Sequence, residues 1–329
     1  MKRLLRHPVF TDKRKRFRIP RIVAGIVFSA APFCIIFRKI DPEKLFTALG
    51  AVSWWSLPAL LFFSFTAMVL QGTRWWILIR AFTRQLSWLR ALSLHFTSSF
   101  YSLFIPNSTM QEVLRSVVAS KHVGAVVSWS SAWVNKITGV VAAFAFSVAG
   151  ILFLPAGTLP PKVTGVVGVL FVIMVILLIV SFSKTASRPL RRLASKVIPP
   201  SLQSFIAKLH EGIYQFRNKT AHLIVTMGVT FLVQFSIVFA ITLLIRGITG
   251  RFLLVESLAF IPLIEMISLA QPFTPNGAGV REALVAIMFS RLGLSQEQLG
   301  VYIILANMSI FLRLIGAIPV VVDRVRHRK

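Results

Sequence analysis

The chain has 329 residues, is 56% hydrophobic and only 14% charged, and has a mean hydropathy of +0.76. Several uncharged runs exceed the roughly 18 residues needed to cross a bilayer, which excludes a soluble domain and indicates a polytopic membrane protein. Lys and Arg total 37 against 10 Asp and Glu, a formal charge of +27; these cations cluster between the apolar runs, so they read as positive-inside loops facing anionic lipid rather than as a nucleic-acid surface.

Residues 1–21 hold nine Lys and Arg and form a basic arm. The apolar run 20–37 that overlaps its end has no small-residue cleavage site and is expected to be a retained first span rather than a signal peptide. It carries the single cysteine, Cys34, so neither a disulfide framework nor a cysteine metal site is expected. Further spans are expected from Trp54 to Ile79, Ile137 to Pro160, Val163 to Ser183, Ala221 to Ile245 and Val301 to Val322. A basic tail, 323–329, follows. Arg74, beside Trp75 and Trp76, reads as a snorkelling anchor. Arg251 and Glu256, near a span end, read as interfacial anchors. His95 and His222 read as helix-packing residues.

Two apolar stretches are too short or too broken for simple crossings. Leu92 to Ile105 ends in Pro106-Asn-Ser-Thr and is followed by a polar helix start, Gln111 to Lys121. Phe252 to Ala270 runs into Gln271-Pro-Phe-Thr-Pro-Asn-Gly-Ala-Gly-Val-Arg-Glu-Ala283. That stretch places Pro272, Pro275, Gly277 and Gly279 within eight positions, which breaks any helix. Broken backbone at membrane depth must be buried in protein or line a wet cavity. Between the two lies 184–219, with eight Lys and Arg and apolar residues at Leu202, Phe205, Ile206, Leu209 and Ile213. This is the pattern of an amphipathic helix at the membrane surface.

Placing every basic segment in the cytoplasm requires the two broken regions to be re-entrant. The expected fold is therefore all-α: six full transmembrane helices and two oppositely oriented re-entrant helical hairpins. The integral domain covers 22–322 and both termini are cytoplasmic. Paired, interrupted hydrophobic segments of opposite orientation point to a transporter site.

Charges inside a membrane cost about 2.5–3.5 kcal/mol each on insertion scales and default to functional sites. The candidates for binding substrate are Asn107, Glu112, Arg115, Lys136, Glu265, Asn276, Gly277, Gly279, Arg281, Glu282 and Arg313. Arg115, Lys136, Arg281 and Arg313 would meet a lipid phosphate, and the glutamates would balance them. Glu112 and Arg115, three apart, share a helix face and can pair. Arg281 and Glu282, adjacent and about 100° apart, are expected to need different partners. Replacing either by alanine is expected to abolish lipid movement while leaving folding intact. The alternative reading makes these groups internal ion pairs that fix helix packing.

The run Pro275-Asn-Gly-Ala-Gly-Val-Arg-Glu-Ala resembles the Pro-x-Gly-x-Gly-Val-Arg-Glu motif of the flippase-like transmembrane region of lysylphosphatidylglycerol synthases, a family that includes stand-alone members without the synthase domain. Pro106 to Arg115 is similar to an earlier motif of that family, with Met110-Gln111-Glu112 in place of Gly-Gly-Asp. Asn135-Lys136-Ile-Thr-Gly139 is similar to its Asp-Arg-x-x-Gly motif. The resemblance covers about Trp54 to Val322. It implies translocation of a phospholipid or lipid-linked headgroup between leaflets, in the plasma membrane of a prokaryote, without cofactor or metal. Two alternatives stay open: a lipid-modifying transferase, and a non-transporting scaffold for envelope lipid enzymes. No nucleophile elbow, P-loop or metal cluster is visible for the former. The expected partners are the lipid substrate and anionic membrane lipids, not nucleic acid; a second copy of the chain or a lipid synthase stays open.

Overall fold

A computed structural model describes residues 33–38, 40–105, 109–155, 157–159, 161–183, 200–270 and 277–326. Among them every regular element is helical. Five stretches are long and apolar enough to cross a membrane: Ser56–Arg80, Ala125–Phe153, Pro161–Ser181, Thr220–Thr249 and Gln296–Val321. These correspond to the five clean spans read from hydropathy. The run expected as a first span lies mostly outside the described residues.

After a helical stretch at residues 33–37 comes α1 (Pro42–Gly50), capped by the Asp41 carboxylate on the Glu43 N–H. The first long helix, α2 (Ser56–Arg80), leads into α3 (Trp88–Ser102), which Ser87 caps. Next come α4 (Met110–Val123) and α5 (Ala125–Phe153), divided only by Gly124 at φ 82°. A positive φ costs a glycine nothing, so two helices meet there at a sharp corner. After α6 (Pro161–Ser181) come α7 (Pro200–Gln215), α8 (Thr220–Thr249) and α9 (Leu254–Ala270). Then follow α10 (Val280–Ser290), α11 (Gln296–Met308), a 3₁₀ segment Ser309–Gly316, and α12 (Ala317–Arg326).

The expected last span is therefore two α-helices joined by a 3₁₀ stretch. Eight residues is long for that geometry, whose hydrogen bonds are poorer than those of an α-helix. The stretch packs against α3, and Gly316 sits directly on the Phe96 carbonyl with no room for a side chain.

Close backbone approach builds the centre of the bundle. α2 packs along α8, and α5 along α9. At the second crossing Gly150 faces the backbone of Leu258 and Ala259, 2.7 Å from where a Cβ would stand. Pro262 lies one turn on in α9 and has no N–H to give the Leu258 carbonyl. Small residues at such crossings let helices associate where lipid supplies no hydrophobic drive. The same logic explains the buried hydroxyls along α5, among them Ser128, Ser130, Ser131, Thr138 and Ser147. Ser128 Oγ donates to the Ser116 carbonyl at 2.9 Å and ties α5 to α4.

One surface element differs from its sequence reading. The helix in 184–219 forms from Pro200, but part of its apolar stripe is not free to face lipid. Ile213 is buried, Leu209 packs beside it, and Phe216 follows, all against Leu78, Ala81 and Val134 at the ends of α2 and α5. Residues 184–199 and the side chains of Leu202, Phe205 and Ile206 lie outside the description.

Candidate functional site

The long helices bring two pairs of shorter helices together. α3 packs on α4, and α9 on α10. Both pairs contribute to one cavity of about 190 Å³. α2 gives it Gln71 and Arg74, α3 His95, and α4 Gln111, Glu112 and Arg115. α5 adds Asn135 and Lys136, α9 Glu265 and Ser268, α10 Arg281, and the 3₁₀ segment Arg313. Six sequence candidates thus share one wall: Glu112, Arg115, Lys136, Glu265, Arg281 and Arg313.

Each charge is held differently. Arg115 is 2% exposed, and its guanidinium lies 4.4 Å over the Trp75 ring. Its Nη1 donates to His95 Nδ1 at 2.9 Å. A guanidinium can only donate, so Nδ1 accepts and the ring proton sits on Nε2. Among the described residues that Nε2 is buried without a partner, as is Nε of Arg115. Arg74 is 8% exposed and donates Nε to Asn135 Oδ1 at 2.7 Å and Nη1 to Thr230 Oγ1 at 3.4 Å. Neither arginine has a carboxylate within 4.0 Å among the described residues. Lys136 Nζ and Glu112 Oε2 form a half-exposed ion pair at 3.4 Å across α5 and α4. Arg313 has no hydrogen bond or ion pair there, and its Nη1 is buried and unpartnered.

Two expectations about pairing are corrected. Glu112 does not pair with Arg115; Lys136 reaches Glu112 from the next helix, and Arg115 turns toward Trp75 and His95. Arg281 and Glu282 do pair, although neighbours on a helix diverge. The arginine arm folds back, placing Nη2 2.7 Å and Nε 3.1 Å from Glu282 Oε1. Asn307 of α11 closes the arrangement, accepting from Arg281 Nη2 at 3.0 Å and donating to Glu282 Oε1 at 3.2 Å. Glu282 Oε2 accepts the Gly279 N–H at 2.7 Å and so caps α10 from its third residue. Glu282 is 2% exposed and stands behind Arg281 rather than on the cavity wall.

The glycines before α10 act through the backbone. Gly279 has φ 86°, strained for any other residue. Gly277 has φ 77°, and a Cβ there would meet the Ser268 Cβ at 2.7 Å and its carbonyl oxygen at 2.9 Å. Asn107 and Asn276, the remaining candidates, lie outside the described residues.

A second cavity of about 160 Å³ adjoins the first and shares Gln71, Ile237, Glu265, Arg281 and Arg313 with it. Its remaining wall mixes aliphatic side chains, among them Leu60, Met68, Ile261, Ile264 and Val285, with Ser64, Tyr302 and Ser309. Charged groups shared by the two cavities, with aliphatic side chains beyond them in the second, are complementary to an amphiphile.

The family model described as Lysylphosphatidylglycerol synthase TM region matches residues 22–316, nearly the whole chain. The chain belongs to this family. No curated protein matches it. The match takes in every element of the lysylphosphatidylglycerol synthase transmembrane region that lines the two cavities, from α2 to the 3₁₀ segment.

Arg74 and His95 were read as structural and turn out to line the cavity. Arg74 lies six residues from the end of α2, about 9 Å along the axis, within reach of a snorkelling side chain. Gln71, three residues earlier on the same face, was the available signal that this face is polar below the interface. For His95 the sequence offered no signal: its partner Arg115 is 20 residues away on another helix.

Proposed function

We propose that this protein is an integral membrane lipid translocator, carrying a phospholipid or lipid-linked headgroup between leaflets through the cation-lined cavity. The observation that carries the reading is the junction of that cavity with the second one, where Arg281, Arg313 and Glu265 are common to both and Leu60, Ile261, Ile264 and Val285 lie beyond them. Arg115, Arg313, Arg281 and Lys136 are the headgroup contacts. In this reading α3–α4 and α9–α10 are re-entrant hairpins entering from opposite faces of the plasma membrane, with both termini in the cytoplasm. The first turns of α4 and α10 bring partial positive charge to the same space, which favours an anion. Glu112 holds Lys136 between loads, and Glu282 does the same for Arg281.

A leaflet-exchange assay in proteoliposomes tests this, with headgroup-labelled phospholipid. The double variant R281Q/E282Q removes the cation without stranding a buried carboxylate, and glutamine still caps α10. Exchange is expected to slow at least tenfold, the equivalent of about 1.4 kcal/mol, while the melting temperature in detergent holds. Full exchange by the double variant would refute the assignment of Arg281.

A further inference from the structure

The charges around the cavity do not balance. Arg74, Arg115, Lys136, Arg281 and Arg313 are cationic. The carboxylates that face them are Glu112 and Glu265 on the wall and Glu282 behind Arg281. Among the described residues, five cations against three carboxylates leave a surplus of two positive charges. His95 adds none, since Nδ1 accepts from Arg115 and the ring is neutral. In the sequence, 106–108 and 271–276 precede the helices that carry Glu112 and Arg281, and neither stretch contains an acidic residue.

The surplus is concentrated on groups with unused donors. Among the described residues, Arg115, 2% exposed, has no partner for Nε, His95, also 2% exposed, none for Nε2–H, and Arg313 none for Nη1. Buried donors without acceptors are costly, and buried charge without countercharge more so. A ligand that supplies several acceptor oxygens and two negative charges satisfies both requirements.

We infer that the cavity takes a lipid phosphate monoester, a dianionic headgroup, in preference to a phosphodiester or zwitterionic lipid. This rests on the translocator reading above and narrows it. A phosphate monoester carries about −1.5 to −2 at neutral pH and three strong acceptor oxygens. A diester brings one charge and two such oxygens, and leaves half of the surplus unmet. The aliphatic side chains of the adjoining cavity, Leu60, Met68, Ile261, Ile264 and Val285, give a hydrocarbon tail a place beside the charged groups, which separates a lipid from free phosphate.

Binding to the full-length protein in neutral detergent tests the inference, above the second ionisation of the monoester. The probes are dioleoyl phosphatidate, dioleoyl phosphatidylmethanol with the same chains and a singly charged diester, and inorganic phosphate. Phosphatidate is expected to bind at least about tenfold tighter than phosphatidylmethanol, and inorganic phosphate far more weakly than either. The Arg313→Gln variant is expected to shrink the preference for the monoester while keeping the native melting temperature or exceeding it. Equal affinity for the two lipids would overturn the dianion inference and leave the translocator reading standing. Binding of inorganic phosphate as tight as phosphatidate, or binding of neither lipid, would overturn both.

Discussion

Glu282→Ala is expected to be the most destabilising single change among the candidate residues, at about 3 kcal/mol. Removing one member of a buried ion pair typically costs about 3–5 kcal/mol because the other charge is left uncompensated. Arg281 keeps 28% of its side-chain exposure and faces the cavity, which puts the loss at the lower end. The change also strips the Gly279 N–H of its acceptor and Asn307 Nδ2 of one of its two. Thermal melts of detergent-purified protein should fall, and Glu282→Gln should recover much of the loss by restoring the cap. An alanine variant that melts with the native protein would mean that the pair, cap and Asn307 contacts contribute little. This revises the sequence expectation that Glu282→Ala would spare folding. The carboxylate fixes where Arg281 stands.

Arg313→Gln is expected to do the reverse. Among the described residues its guanidinium has no hydrogen bond or ion pair and its Nη1 is buried, so the folded state carries a desolvation cost that no direct contact there offsets. Neutralising it should leave the melting temperature unchanged or raise it. Lipid exchange should fall by roughly 10- to 150-fold, the loss of one charge-assisted contact of about 1.5–3 kcal/mol. A gain in stability with a loss of activity marks a group held for function at the expense of the fold. Full exchange with unchanged melting would remove Arg313 from the headgroup contacts. Its setting in a 3₁₀ stretch fits the same view, since such stretches within longer helices often mark hinges or strain.

How much of this was legible in the sequence depended on the range of the interaction. The long helices α2, α5, α6 and α8 follow from uncharged apolar runs, a local property, and their positions came out within a few residues except for α5, which ends at Phe153 rather than Pro160. That helix begins at Ala125 rather than near Ile137, because Ser128, Ser130 and Ser131 are buried against neighbouring helices and apolar scale values undervalue them. The charged residues of the two broken regions were legible as candidates, since charge within an apolar run is conspicuous. Their partners were not. Lys136 reaching Glu112, Arg74 reaching Asn135 61 positions away, and Arg115 reaching His95 all cross between helices. The Arg281–Glu282 pair was missed for a different reason. Cα directions on a helix diverge by about 100°, but arginine is long enough to fold back across that angle once Asn307 holds both heads. Asn107 and Asn276 lie outside the described residues and remain candidates on the sequence reading alone.

The central claim is that headgroup and tail occupy the two adjoining cavities at once. An experimental structure of the protein with bound dioleoyl phosphatidate tests it most directly. The account requires phosphate density within hydrogen-bonding distance of Arg115, Arg281 and Arg313, and chain density running past Leu60, Ile261 and Val285. Lipid density confined to the outer perimeter of the helices, with both cavities holding only water, would contradict it.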